Sequence, residues 1–355
     1  MLSCLRTQNG RGEMVVPVID LHGIGTDRAR RLAAAREIDE ACRDIGFFTV
    51  VNHGVPATVD HACWRAARAF FDLPAAARQA VAFPYPGYPY GYAGLASETL
   101  AQSRGTAGPP DLKESFCIGP LRRPERPRGR KGEDEPEAFA YADNLWPAAL
   151  PGFRAAWEAY YRAMAGLAHR LMRLFALGLG LEEGYFDDKI DRHISALRAL
   201  NYPDQRGPPV PGQLRAGVHS DYGSLTILRQ EAKPGGLEVL TREGDWLPVP
   251  DIPGGYVVNI GDLMATWTND RWVSTLHRVV NPPPDAAGST RRQSLAFFHQ
   301  PNWDAEIRCL PTCLAPGARP YHAAVTSGAY LMSKFRSTLE SIDSELEDSD
   351  LEGAR

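Results

Sequence analysis

Residues 212–229 read GQLRAGVHSDYGSLTILR, and two positions inside this stretch decide how the chain is read. His219 and Asp221 stand two apart. Successive side chains of a β-strand alternate, so this imidazole and carboxylate point to one face, with Ser220 opposite. Side by side they are two-thirds of a facial metal site. His-x-Asp alone is common by chance, so the surroundings have to decide. Between residues 195 and 300 the apolar runs are short and separated by Gly, Pro and Asp turns, and helical periodicity almost vanishes. The expected core is therefore an all-β block of about a hundred residues, a sandwich or barrel buttressed by helices within an α+β chain.

A third ligand is expected on another strand, across the barrel. Residues 273–280, VSTLHRVV, supply His277, 58 positions after His219, in an otherwise apolar run. A buried imidazole needs a partner, and coordination provides one; a hydrogen bond to a core carbonyl is the plainer alternative. Two histidines and one carboxylate leave three positions open on an octahedral ion. Non-haem iron(II) oxygenases use that arrangement to admit a chelating co-substrate and dioxygen. A zinc hydrolase would more often show a His-rich set with a carboxylate base, and no such base is evident.

Fourteen residues after His277, residues 291–300 read RRQSLAFFHQ. Arg292 and Ser294 share a face, and an Arg with a hydroxyl two residues on grips a carboxylate through charge-assisted bonds. Only Arg292, not Arg291, has a Ser at that spacing. Taken alone, Arg292 reads equally as a surface residue of an edge strand. The same parity turns Phe298 toward the metal, and Phe297 and His299 away from it.

Outward from this block, residues 15–21 (VVPVIDL) and 47–51 (FFTVV) read as strands. Residues 27–45 and 59–71 read as amphipathic helices, the first ended by Gly46. Residues 83–93, FPYPGYPYGYA, read as an irregular aromatic loop on which Tyr88, Tyr90 and Tyr92 pack or line a pocket. Residues 121–137, LRRPERPRGRKGEDEPE, are expected to be an exposed insertion. Residues 151–181 carry the longest helical pattern, and 339–355 form an acidic tail. The domain reading is one unit over 15–355: an α/β part over 15–120, the insertion, the long helix, and the β core over 195–300.

The composition excludes several classes. With 44% hydrophobic and 23% charged residues, the 355-residue chain can bury a large core. A net charge of −4 gives no electrostatic reason for a nucleic-acid or anionic-membrane partner. Six scattered cysteines read as free thiols of a reducing compartment, since the CLPTC pair at Cys309 and Cys313 has no second pair to complete a zinc site. The first fourteen residues lack an apolar signal segment, and no apolar run approaches a membrane span. The expected location is the cytoplasm, as a monomer or weak homodimer.

The order H-x-D, a distant His, then R-x-S resembles the isopenicillin N synthase-like branch of the 2-oxoglutarate/iron(II)-dependent dioxygenases. The resemblance spans most of the chain: VPVIDL (16–21), ACRDIGFFTVVNHGV (41–55), DLKESFCIG (111–119), NLWP (144–147), LRALNYP (197–203), GGL (235–237), VNIGDL (258–263) and TLHRVVNP (275–282) follow in the family's order. It implies a double-stranded β-helix, or jelly roll, framed by helices. It implies Fe(II) on His219, Asp221 and His277, with 2-oxoglutarate as co-substrate and O2 as oxidant. Arg292 and Ser294 match the pair that binds the distal carboxylate, and Tyr202 a Tyr that helps hold it. Two departures stand out: the loop before Arg292 is longer than in many members, and Leu200 replaces a frequent Asn.

The resemblance runs nearest to members that act on small planar or polycyclic molecules, nucleobase hydroxylases among them. Phe298, Tyr222 and Arg198 are the expected substrate contacts, with a barrel-wall ion pair as the alternative for Arg198. The implied reaction hydroxylates a small organic molecule, or desaturates or cyclises it, with release of succinate and CO2. Two rivals are a same-fold iron oxidase that does not use 2-oxoglutarate and a non-catalytic small-molecule binding protein.

Overall fold

The computed structural model describes residues 15–101, 108–123, 135–205 and 207–335. The readings of residues 1–14, of 124–134 within the charged segment and of the 339–355 tail lie outside the described residues. The amino-terminal part runs β1 (Val18–Asp20), α1 (Arg28–Asp44), β2 (Phe47–Val51), α2 (Ala57–Phe71) and α3 (Ala75–Gln79). Asp27 caps α1, its Oδ1 accepting from the Ala29 N–H at 2.8 Å and the Arg30 N–H at 3.3 Å. At the other end Gly46 adopts φ +68°, where a Cβ would lie 2.1 Å from the Val273 carbonyl oxygen. Only glycine lets the chain leave α1 and enter β2 there.

Two expectations change in the next stretch. The last three residues of the aromatic loop form β3 (Gly91–Ala93), paired with β4 (Glu114–Ile118). The Gly/Pro signal covers the loop but not the three-residue strand at its end. The charged segment likewise ends in structure, because its last residues begin α4 (Glu135–Ala140). The long helical pattern becomes α5 (Phe153–Gly178), followed by the short α6 (Asp187–Ile190).

The β block then delivers β5 (Ala196–Tyr202), β6 (Ala216–His219), β7 (Leu225–Arg229), β8 (Leu237–Leu240), β9 (Trp246–Pro248) and β10 (Tyr256–Ile260). A helix interrupts it, α7 (Asp262–Trp267), before β11 (His277–Val279) and β12 (Arg292–His299). Six residues are too few for a helical period to show in the sequence. A small ribbon of β13 (Glu306–Ile307) and β14 (Val325–Thr326) follows, and residues 327–335 are helical.

The strands form an eight-stranded sheet, β1-β2-β10-β7-β12-β5-β4-β3, and a four-stranded sheet, β6-β11-β8-β9. Alternation divides the large sheet cleanly. Phe48, Val50, Ile227, Val258, Leu295 and Phe297 face the helices and share one core with Trp157, Leu171 and Phe175 of α5. The opposite parity, from Phe47 to Arg292, lies on the face toward the small sheet. Residues from both sheets meet there in two smaller clusters, one around Phe47, Val239 and Val257 and one around Leu200, Tyr202, Ala216 and Val279. This is the jelly roll framed by helices, and the space between its sheets is where the chemistry-bearing side chains gather. Among the described residues no helix is long and apolar enough to cross a membrane.

Candidate metal centre

His219 ends β6 and His277 opens β11, and the two residues are direct partners in the antiparallel pair. The expected third ligand is therefore on the neighbouring strand, not across the barrel, because β6 and β11 lie side by side in the small sheet. The ring centroids are 4.2 Å apart. Asp221 also reaches the site by a different route from the one strand parity predicts. β6 stops at His219, so the carboxylate sits on the loop beyond it. That loop is held by the start of α7: the Asp262 N–H donates to the Asp221 carbonyl at 2.8 Å, and the Leu263 N–H to those of Tyr222 and Gly223 at 3.2 Å. A Cβ on Gly261 would lie 2.2 Å from the Gly223 oxygen, so this approach requires glycine.

The three side chains converge, with their ligand atoms all within 4.8 Å of one another. Asp221 Oδ1 lies 3.7 Å from His277 Nε2 and 4.0 Å from His219 Nε2. Asp221 Oδ2 is already occupied, accepting from Thr226 Oγ1 at 2.6 Å and Asn259 Nδ2 at 2.7 Å. Each imidazole is oriented by its other nitrogen: His219 Nδ1 bonds the Gly217 carbonyl at 2.8 Å, and His277 Nδ1 that of Thr275 at 3.0 Å. A carbonyl accepts only, so both Nδ1 atoms carry the proton and both Nε2 lone pairs face the gap. Burial, with repulsion from His277 next, holds His219 well below the ordinary imidazole range. Burial opposes the Asp221 charge, yet His277, His219 and the two hydrogen bonds outweigh it and keep the carboxyl below its usual range. Two Nε2 lone pairs and a carboxylate oxygen, converging on one gap, are the donor set that a divalent ion requires.

Along the same interior face, Arg292 is paired opposite Tyr202 and Ser294 opposite Leu200. The longer loop before Arg292 thus does not displace it. Arg292 is 2% exposed. Its Nη2 donates to Gln230 Oε1 at 3.0 Å, and its buried Nε has no partner. A buried guanidinium bonded to a neutral amide, with a free donor left over, is an anion receptor.

Family models match on both sides of this geometry. Residues 16–149 match the model described as the non-haem dioxygenase in morphine synthesis N-terminal region, and residues 194–301 that of the 2OG-Fe(II) oxygenase superfamily. The chain belongs to the 2-oxoglutarate/iron(II) oxygenase superfamily. It is 36% identical to the validamycin A dioxygenase of Streptomyces hygroscopicus subsp. limoneus, over 85% of this chain and 81% of that one. It is 34% identical to the 2-oxoglutarate-Fe(II) type oxidoreductase hxnY of Emericella nidulans, over 89% and 90%. Among solved structures, Neurospora crassa T7H with alpha-ketoglutarate (2-oxoglutarate) and thymine superposes with TM-score 0.79 at 30% identity, covering 93% of this chain and 98% of T7H. The protein is a 2-oxoglutarate-dependent non-haem iron dioxygenase of small organic molecules, with Fe(II), 2-oxoglutarate and O2 as its reagents. Neither rival reading, the oxidase without 2-oxoglutarate or the non-catalytic binder, is favoured.

The oxygenase's remaining expected residues fall into two groups. Phe298 packs against the cluster of Leu200, Tyr202, Ala216 and Val279 on the interior face, while Phe297 packs against Tyr161 on the helical side. His299 is buried, its Nδ1 2.6 Å from Ser224 Oγ, which fits a structural role. Tyr222 lies beneath Lys334, whose Nζ is 5.4 Å from the ring centroid. Arg198 forms the ion pair weighed as its alternative, bonding Glu98 through both terminal nitrogens at 3.2 and 3.1 Å. Tyr90 and Tyr92 are buried and bonded to Ala140 and Glu114, so they pack.

Several site residues escaped the sequence reading. Thr226 and Asn259 fix Asp221 but carry no spacing signal, although Asn259 sits in VNIGDL. Asp111 accepts from the Gly217 N–H at 2.8 Å, the Leu100 N–H at 3.1 Å and Lys113 Nζ at 2.5 Å. It thereby ties the 95–101 segment to the strand that carries His219. Lys113 also lies 3.5 Å from Glu98.

Proposed function

We propose that His219 Nε2, Asp221 Oδ1 and His277 Nε2 hold the iron. Arg292, with Ser294 and Tyr202, takes the distal carboxylate of 2-oxoglutarate. The observation that carries this reading is the set of groups left without protein partners on one interior face: two imidazole lone pairs, one carboxylate oxygen and the buried Arg292 Nε. When bound, iron with 2-oxoglutarate supplies the oxidation: one atom of O2 goes into succinate as CO2 leaves, and the other into the product hydroxyl. The protein's share is orientation. Arg292 fixes the far end of the co-substrate and so sets how its 2-oxo acid end meets the metal.

Phe298, Tyr222 and Arg198 form the substrate wall in this reading. Arg198 is matched by Glu98, and Lys113 by Asp111, so the wall offers paired charges. Such a wall suits a flat polar substrate without net charge, held by hydrogen bonds and one aromatic face. T7H, solved with thymine, fits that class by name. The protein acts on it as a monomer or weak homodimer in the cytoplasm, as one unit over residues 15–355, with no nucleic-acid or membrane partner. Succinate release is the test. A panel of neutral heterocycles and polyols, with charged analogues, should yield at least one neutral compound that stimulates 2-oxoglutarate decarboxylation and appears hydroxylated by mass spectrometry. Stimulation only by charged compounds would overturn the substrate class. Full activity of Asp221→Ala would overturn the site.

A further inference from the structure

The co-substrate end holds a second buried guanidinium. Arg215, just ahead of β6, is 1% exposed. Its Nη1 donates to the Pro234 carbonyl at 3.1 Å and its Nη2 to that of Thr290. Its Cζ lies 5.8 Å from the centroid of the Tyr202 ring, and the Arg292 Cζ lies 5.4 Å from the same ring. Among the described residues neither guanidinium is within ion-pairing distance of a carboxylate; Glu231 and Asp251 act on Arg292, and Asp204 on Arg215, only from farther away. Burial, and after it repulsion from Arg292, lowers Arg215 to about 10. Two like charges buried on one aromatic ring are unfavourable unless an anion joins them.

We infer that Arg215 is a positioning residue for 2-oxoglutarate, a second cation that biases the barrel end toward dicarboxylates. The inference rests on Arg292 being the carboxylate anchor. Arg215 acts through its neighbours. It adds positive potential beside Tyr202, on the ring that Arg292 also approaches. Through the Thr290 carbonyl it also fixes the backbone two residues before Arg292. Asp204 completes that clamp, its Oδ1 accepting from the Thr290 and Arg291 N–H groups at 2.7 and 2.9 Å. The long loop is thereby delivered to the strand in the register that places Arg292 opposite Tyr202.

The test is anaerobic titration of the full-length iron(II) enzyme with 2-oxoglutarate and, separately, with 2-oxobutyrate, which lacks the distal carboxylate. Binding is read from the visible charge-transfer band. Arg215→Gln should weaken 2-oxoglutarate about tenfold and leave 2-oxobutyrate unchanged. Equal weakening of both ligands would make Arg215 merely structural, and unchanged 2-oxoglutarate binding would remove its role; either overturns the inference. Should Arg215→Gln not fold, Arg215→Lys carries the test. It keeps the charge but cannot bridge both carbonyls, so a loss of about threefold confined to 2-oxoglutarate is expected, and identical binding overturns the inference. Arg292→Gln separates the two levels: if it too leaves 2-oxoglutarate binding unchanged, the anchor assignment itself fails.

Discussion

The two ends of the barrel interior are built on different rules. At the metal and co-substrate end, His219, His277 and Arg292 stand on paired strands, and each is oriented so that one polar atom is left over. At the proposed substrate end, Glu98, Arg198 and the Asp111–Lys113 pair come from three separate segments and satisfy one another. Groups left unsatisfied by the protein mark where reagents common to the whole superfamily bind. On the proposed reading, groups that satisfy one another form a wall whose shape and hydrogen bonds select one substrate among many.

Breaking the first end should cost most. His219→Ala or Asp221→Ala is expected to lower succinate production by more than about a thousandfold, since the metal supplies the oxidation. Iron content by atomic absorption checks that the cause is the missing ion. Arg292→Gln comes next. Losing a charge-assisted pair worth about 2–3 kcal/mol should raise the KM for 2-oxoglutarate by some 30- to 150-fold, with a smaller change in kcat. Asn259→Ala and Thr226→Val leave all three ligands in place but free Asp221 Oδ2. A drop in iron affinity of about 10- to 100-fold, measured by competition with a chelator, is the expected result.

The second end should respond in another currency. Glu98→Gln or Arg198→Gln unmatches the wall, and the KM for the organic substrate should rise about tenfold. The substrate-free decarboxylation of 2-oxoglutarate should stay at its wild-type rate. If that rate falls as well, the two ends are not independent and the contrast fails.

The smallest effect concerns stability. Burial pushes His193 down to about 4 and His299 well below the ordinary imidazole value. Both are neutral in the folded protein, so the unfolded chain binds more protons below its imidazole pKa of about 6.5. Their stabilising contribution is complete above that pH and is lost as pH falls toward 4. For His193 alone the loss by pH 5 is about 2 kcal/mol. Thermal melts from pH 7.5 to 5 should show the decline, and His193→Phe should flatten it.

The contrast also explains what could be read in the sequence. Strand parity placed Arg292, Ser294 and Phe298 on one face and turned Phe297 and His299 to the other, because β12 is eight regular residues. The same rule put Asp221 in the right place for a reason that does not apply: the strand ends at His219, and a backbone clamp from α7 holds the carboxylate. Parity gives no information on which strands are neighbours, so His277 was expected across the barrel when it lies beside His219. Glu98 and Lys113 were not legible at all. Glu98 meets Arg198 and Lys113 only through folding, and a charged residue in a loop carries no periodic signal that it will be buried against a partner.

Binding of 2-oxoglutarate to the iron(II) enzyme without oxygen tests the central assignment most directly. A weak visible charge-transfer band should grow on titration of the wild-type protein and saturate at one 2-oxoglutarate per chain. The band should be absent in Asp221→Ala and shifted to far higher co-substrate concentration in Arg292→Gln. No band in the wild-type protein, or one unchanged in Asp221→Ala, would contradict the site described by His219, Asp221, His277 and Arg292.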